Sequence, residues 1–165
     1  MPRALAILCR RALAILCRVL LRSCTACSCD LVPPRPCDLV QSLIVREHFV
    51  KAAELNPLDA TTRYALGVWY FEVASLSWTM RKLAAAIFAS PPQGTFEEAL
   101  AHFDLAESIS PGFYVRNRLM IAKCQQQLRD KPAARRWAAL ALELPAANHD
   151  DRTAAADAKQ LLSAL

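Results

Sequence analysis

The sequence predicts an all-α fold, a run of antiparallel helix pairs. Two observations carry this. Only three glycines occur in 165 residues, among long Ala/Leu-rich stretches with no strand-rich region. Apolar residues also recur at helical spacing from about residue 42 to the end. The length suits one domain, and 55% apolar content is enough for a core.

Residues 1–41 read as a leader outside that domain. RALAILCR at 3–10 repeats unchanged at 11–18, and CDLV at 29–32 recurs at 37–40 with the same eight-residue step. Tandem copies of this kind resemble a duplicated coding stretch more than a packed element. Arg3, Arg10, Arg11, Arg18 and Arg22 precede the first acidic residue, Asp30, which is the composition of a mitochondrial transit peptide. Both readings stay open, a targeting or membrane-surface helix and a leader without function. Arginines interrupt every apolar run well short of the ~18 residues a spanning helix needs. Six of the seven cysteines fall in residues 9–37, whereas a disulfide scaffold spreads its cysteines through the fold it staples. Cys24, Cys27, Cys29 and Cys37 have no histidine nearby and lack the two separated ligand pairs of a structural zinc site, so no metal is expected. Pro33, Pro34 and Pro36 break any helix and mark a linker.

The helical domain is expected over residues 42–165. SLIVREHFVKAAELNP carries a stripe of Leu43, Val45, Phe49, Ala52, Ala53 and Leu55, ended by Asn56-Pro57. Asp59 or Thr61 caps the next helix, whose apolar face is Tyr64, Leu66, Val68, Trp69 and Phe71. Gly67 sits inside that helix, where glycine costs about 1 kcal/mol relative to alanine, so it needs a packing reason. TFEEALAHFDLAESISP repeats the first form through Ala99, Phe103, Ala106 and Pro111, with Thr95 and Glu98 at capping-box spacing. A looser copy follows in Met120, Ile121, Ala122 and Leu128, then Ala134, Ala138, Ala141 and Pro145, with LRDKP as its turn. The final stretch, N-capped near Asn148 or Asp150 and carrying Leu161 and Leu162 near its end, is expected to close the array.

Phe49 to Pro57 and Phe103 to Pro111 are both eight residues apart. These are marks of the tetratricopeptide repeat, a 34-residue helix-turn-helix unit with Trp-x-x-Leu-Gly-x-x-Tyr, then Ala-x-x-x-Phe, then Pro. Here the unit runs Arg63-x-x-Leu66-Gly67-x-x-Tyr70, then Ala99-x-x-x-Phe103, then Pro111, with Arg63 in the tryptophan's place. Gly67 is then small because a neighbouring helix crosses it, and Tyr70 and Phe103 fill the space around the crossing. Phe49 to Phe103 is 54 residues, twenty more than one unit. The surplus lies between Tyr70 and Ala99, where Trp78, Leu83, Ile87 and Phe88 predict an inserted helix stopped by Pro91-Pro92. The expected architecture is a tetratricopeptide-like α-solenoid with an inserted helix and a C-terminal capping helix.

The insert SWTMRKLAAAIFASPPQGTFEEAL, with EHFVKAAELNPLDATTRYALG before it and ISPGFY after it, resembles the regulator of microtubule dynamics protein family over residues 42–162. That resemblance implies a helical-repeat protein of the cytoplasm, associated with microtubules and spindle poles, with some relatives on mitochondria or at their contacts with the endoplasmic reticulum. It also implies further helix pairs upstream, so the chain looks like a carboxyl-terminal portion whose helix at 42–55 lacks its usual partner and leaves an apolar face exposed.

Residues 1–43 hold six Lys/Arg against two Asp, and residues 44–165 hold fourteen against thirteen Asp/Glu. The near-neutral domain lacks the electrostatic footprint of a nucleic-acid binder. His48, His102 and His149 fall in no metal-ligand spacing, and Gly67, Gly94 and Gly112 make no phosphate loop. Glu97 and Glu98 suit the first turn of a helix, and Trp69, Trp78 and Trp137 suit a core. No catalysis and no cofactor are expected. Two classes remain. In the first, the inner face of the array binds a protein through Thr61, Tyr64, Val68 and Phe71 on one helix and Arg116, Leu119 and Lys123 on the next. Tubulin is the partner the resemblance implies, its acidic tails meeting Arg116, Arg118 and Lys123. In the second, an apolar groove of Tyr64, Val68, Phe71 and Leu119 holds lipid acyl chains at a membrane contact.

Overall fold

Seven helices follow one another among the described residues: α1 (Pro36–Leu55), α2 (Ala60–Ser75), α3 (Trp78–Ile87), α4 (Phe96–Ile109), α5 (Val115–Gln127), α6 (Lys131–Leu142) and α7 (His149–Ala164). The computed structural model describes residues 36–87 and 93–165, and all regular structure among these is helical. The RALAILCR repeat, the first CDLV copy, Cys24, Cys27, Cys29, Phe88 and Pro91-Pro92 lie outside the described residues, as do the side chains of Cys37, Leu83 and Ile87, while the second CDLV copy falls in the first turns of α1.

Local chemistry sets the helix ends. The first helix starts at Pro36 and not at residue 42, because proline is tolerated at a first helical position, where its missing N–H has no intrahelical partner. Asp59, not Thr61, caps α2 by accepting from the backbone N–H groups of Thr61 and Thr62. Thr95 and Glu98 form a full capping box on α4, and Asn148 and Asp151 form one on α7. Asp130 caps α6 just after Arg129, which turns the chain at φ 66°.

The helix α2 packs on α4 across the insert, α4 on α5, and α5 on both α6 and α7, which also pack on each other. The α2–α4 crossing is where Gly67 is needed. A Cβ at this position would stand 2.6 Å from Cε1 and 2.7 Å from Cδ1 of Phe103, whose ring is fully buried. Around it lie Ala99, Met120, Ile121 and Cys124, flanked by Tyr64, Val68, Tyr70 and Phe71. A second cluster joins Val115, Leu119 and Ala122 of α5 to Ala138 and Ala141 of α6 and Ala154, Ala158 and Leu161 of α7. Alanine on both sides of these contacts lets the helix axes approach closely.

Of the repeat positions, Leu66, Gly67, Ala99 and Phe103 are buried, Phe49 and Tyr70 are half-buried, and Pro57 and Pro111 sit exposed in the turns after α1 and α4. Ile44, Val45 and Leu55 leave apolar surface exposed on α1. One of the expected core tryptophans differs from expectation. Trp137 is half-buried against both clusters, whereas Trp78 is 71% exposed with the Lys82 ammonium 5.0 Å from its ring centre. As the first residue of α3, Trp78 lies ahead of the turn that packs inward at Ala84.

Gly67→Ala should therefore destabilise the domain by about 1–3 kcal/mol, although alanine is the better helix former. Adding Phe103→Leu to make room should recover part of the loss, as read by chemical denaturation.

Candidate functional site

The face expected to bind a partner is built from α2, α5 and α7. On α2, Thr61 is exposed, and Tyr64, Val68 and Phe71 are half-buried. The Tyr64 ring meets Tyr114 edge-on at 5.2 Å and Phe103 at 5.8 Å, and Phe71 meets Phe96 at 5.4 Å. Burial pushes the Tyr64 hydroxyl up to about 12, with Arg116 opposing the rise, so Tyr64 is a neutral packing group.

Leu119 does not line this face. It is 2% exposed and belongs to the α5–α6–α7 core, because the side of α5 that carries it is the side the alanines of α6 and α7 cover. The candidate basic residues Arg116, Arg118 and Lys123 are present on α5, but none stands free. Arg116 pairs with Asp150 of α7, which also accepts a hydrogen bond from the Tyr114 hydroxyl. Lys123 pairs with Asp157 of α7 at 3.5 Å. Arg118 donates to Glu107 at 2.8 Å and to the Leu140 carbonyl at 2.9 Å.

These pairs differ in kind. The side chains of Arg118 and Glu107 are 15% and 10% exposed, against 34% and 45% for Arg116 and Asp150 and 34% and 44% for Lys123 and Asp157. Glu107 also accepts from the Gly112 N–H at 2.9 Å and from Asn117 Nδ2 at 3.1 Å, while Asn117 Nδ2 reaches the Phe103 carbonyl at 3.2 Å. That network ties α4, the following turn, α5 and α6 together, so Arg118 is a structural residue. Exposed pairs contribute only about 0–1 kcal/mol each and exchange readily, which leaves Arg116 and Lys123 as cations a ligand can reach. Asp150 and Asp157 are the residues that sequence reasoning missed. Their signal is a shared spacing: they are seven residues apart, as are Arg116 and Lys123.

A second group lies between α1, α2 and α4. Arg46 lies 5.0 Å over the Trp69 ring and donates to the Tyr70 hydroxyl at 2.9 Å. His102 stacks on Tyr70 at 5.1 Å. Burial first, then Arg63 and Arg46, holds the imidazole pKa below its usual value, with Glu98 opposing. The Cys124 thiol is buried and pushed up to about 12, so it stays protonated and unreactive. Among the described residues no group of His, Cys, Asp and Glu converges to hold a metal, and no helix is long and apolar enough to cross a membrane. A pocket of about 220 Å³ lies away from the α2–α5–α7 face, between Val73, Leu76, Arg81, Ala84 and Gly94.

Comparison with known proteins places the chain. The family model described as regulator of microtubule dynamics protein 1-3 matches residues 39–165. The chain belongs to the regulator of microtubule dynamics family. Regulator of microtubule dynamics protein 1 of Bos taurus is 40% identical over 124 residues, 75% of this chain and 39% of that protein. The Homo sapiens protein 1 is 38% identical over 125 residues, 76% of this chain and 40% of its own length. Regulator of microtubule dynamics protein 3 of Xenopus laevis is 40% identical over 121 residues, 73% of this chain and 26% of its own length. The chain thus spans about two fifths of the family's protein 1 relatives.

Two outcomes follow for this family member. Glu107→Ala leaves Arg118 and Asn117 buried without their carboxylate, and should cost about 3–5 kcal/mol in chemical denaturation. The second concerns pH. Below its ordinary value of 6.5 the unfolded His102 takes up a proton that the folded ring resists, so the unfolded state binds more protons. Stability from this group is present above pH 6.5 and is lost as pH falls through the lowered folded value. His102→Phe, which keeps a ring on Tyr70, should show a smaller drop in melting temperature between pH 7 and about pH 5.5 than the parent.

Proposed function

We propose that the chain is a non-enzymatic, tetratricopeptide-like scaffold that engages microtubules through the α2–α5–α7 face. Its family membership carries this reading, because the matched relatives are named as regulators of microtubule dynamics. The register of the face supports the repeat assignment. Arg116 to Asp150 and Lys123 to Asp157 each span 34 residues, the length of one unit. In a stacked array, equivalent helices of successive units lie side by side, so residue i meets residue i+34.

On this reading Tyr64, Val68 and Phe71 give the face its apolar ground, and Arg116 and Lys123 give it exchangeable cations. An acidic partner must compete with Asp150 and Asp157 for them, which makes binding weak and dependent on salt. The acyl-chain alternative loses one of its four lining residues, because Leu119 is committed to the core.

The full chain should sediment with microtubules at about 0.1 M salt and release as the Debye length shrinks from ~10 Å to ~3 Å at 1 M. Neutral substitution is the cleaner probe, since reversal to glutamate would set like charges against Asp150 and Asp157. Arg116→Gln with Lys123→Gln should weaken sedimentation severalfold while leaving the fold intact. Failure of the parent chain to sediment would reject the microtubule reading, and sedimentation indifferent to both substitutions would reject this face.

A further inference from the structure

Every cation on α5 holds a carboxylate, whereas Arg46 of α1 and Arg63 of α2 hold none among the described residues. The Nε–H of each is buried without a hydrogen-bond partner, and a buried donor left unpaired calls for a partner. Arg116 Nε is also unpaired, but its guanidinium already holds Asp150. Arg46 uses its planar face on Trp69 and Tyr70 and one amino group on the Tyr70 hydroxyl. Stacking of this kind leaves the buried Nε–H without a partner, a donor that an oxyanion entering the seam would satisfy. Arg63 gives one amino group to the Ala53 carbonyl at 3.5 Å, a long contact that also spares its Nε. The nearby carboxylate of Glu98 is committed to the α4 cap, where it accepts from the Thr95 N–H at 2.9 Å.

We propose that the seam between α1, α2 and α4 is a binding track for an acidic peptide segment, held by Arg46 and Arg63 with His102 alongside. The spacing selects a chain and not a point anion. Arg46 sits at Tyr70, and Arg63 lies seven residues earlier on α2, two helical turns or about 10 Å away. One phosphate group is too small to bridge that gap, while an extended peptide covers about 9–10 Å in three residues. Acidic side chains three apart would reach both guanidiniums. Both arginines lie within electrostatic reach of His102, where Glu98 opposes them. It is separate from the α2–α5–α7 face, and the proposal stands whether or not the chain engages microtubules.

Fluorescence anisotropy of labelled hexaglutamate with the full chain tests this. Binding should fall roughly five- to tenfold with Arg46→Gln and Arg63→Gln together, and should be unchanged by Arg116→Gln with Lys123→Gln. Nuclear magnetic resonance on the unmutated chain gives a readout independent of variant stability. The Nε–H signals of Arg46 and Arg63 should both shift on titration with hexaglutamate, and inorganic phosphate at equal concentration should compete only weakly. Absence of binding, unshifted signals, sensitivity to the α5 pair, or equal competition by phosphate would each overturn the proposal.

Discussion

The arrangement depends on one close approach, the Phe103 ring lying where a side chain at position 67 would be. Glycine is a poor helix former, and α2 tolerates it because its second turn must let α4 come near. The two helices are separated in sequence by the whole of α3, so no short loop can set their geometry. A side-chain fit must do so, and Phe103 against Gly67 is that fit. From it the rest follows in both directions. The residue before Phe103 is His102, which stacks on Tyr70 and brings α4 to the seam with α1. The Phe103 carbonyl accepts from Asn117, which carries the same register into α5 and, through Glu107 and Arg118, into α6.

Charge is distributed unevenly across this frame. The domain is nearly neutral as a whole, yet its cations are paired with carboxylates on α5, whereas Arg46 of α1 and Arg63 of α2 form no ion pair among the described residues. Three cations on α5 meet three carboxylates from α4 and α7. The inner pair is desolvated and fixes structure; the outer two are half-exposed and exchangeable. Arg46 and Arg63 find aromatic faces and a carbonyl in place of acids. A count of charges along the chain cannot separate these cases, because each pairing is made between helices.

What was legible in the sequence was local or periodic. Asp59, Thr95 and Asn148 announce helix starts through caps that act within three residues. The Leu66-Gly67 and Ala99-to-Phe103 spacings point to a tight crossing, because a glycine inside a helix demands a neighbour. Leu119 was misplaced because helical periodicity says which residues share a stripe but not how many neighbours cover it. Here both α6 and α7 pack on α5, so the buried arc is wider than a single partner would make it. Trp78 was misplaced for the opposite reason, since an apolar ring at a helix start can lie beyond any packing surface.

Asp150 and Asp157 show where the legible and the hidden meet. Taken alone, they are two acids on a polar helix face. Their meaning depends on α7 lying beside α5. Once the repeat's unit length is accepted, each residue of one helix has a defined counterpart 34 positions later. Arg116 then points to Asp150 and Lys123 to Asp157 by subtraction alone. No such 34-residue step links α2 to α5, which are separated in sequence by α3 and α4. Tyr64 meets Tyr114 at a separation of fifty residues, which neither the unit length nor the unit length plus its insert reproduces. On the proposed repeat reading, the 34-residue step therefore reaches the long-range pairs between α5 and α7 and does not extend to α2, where side-chain fit, as between Gly67 and Phe103, has to take over.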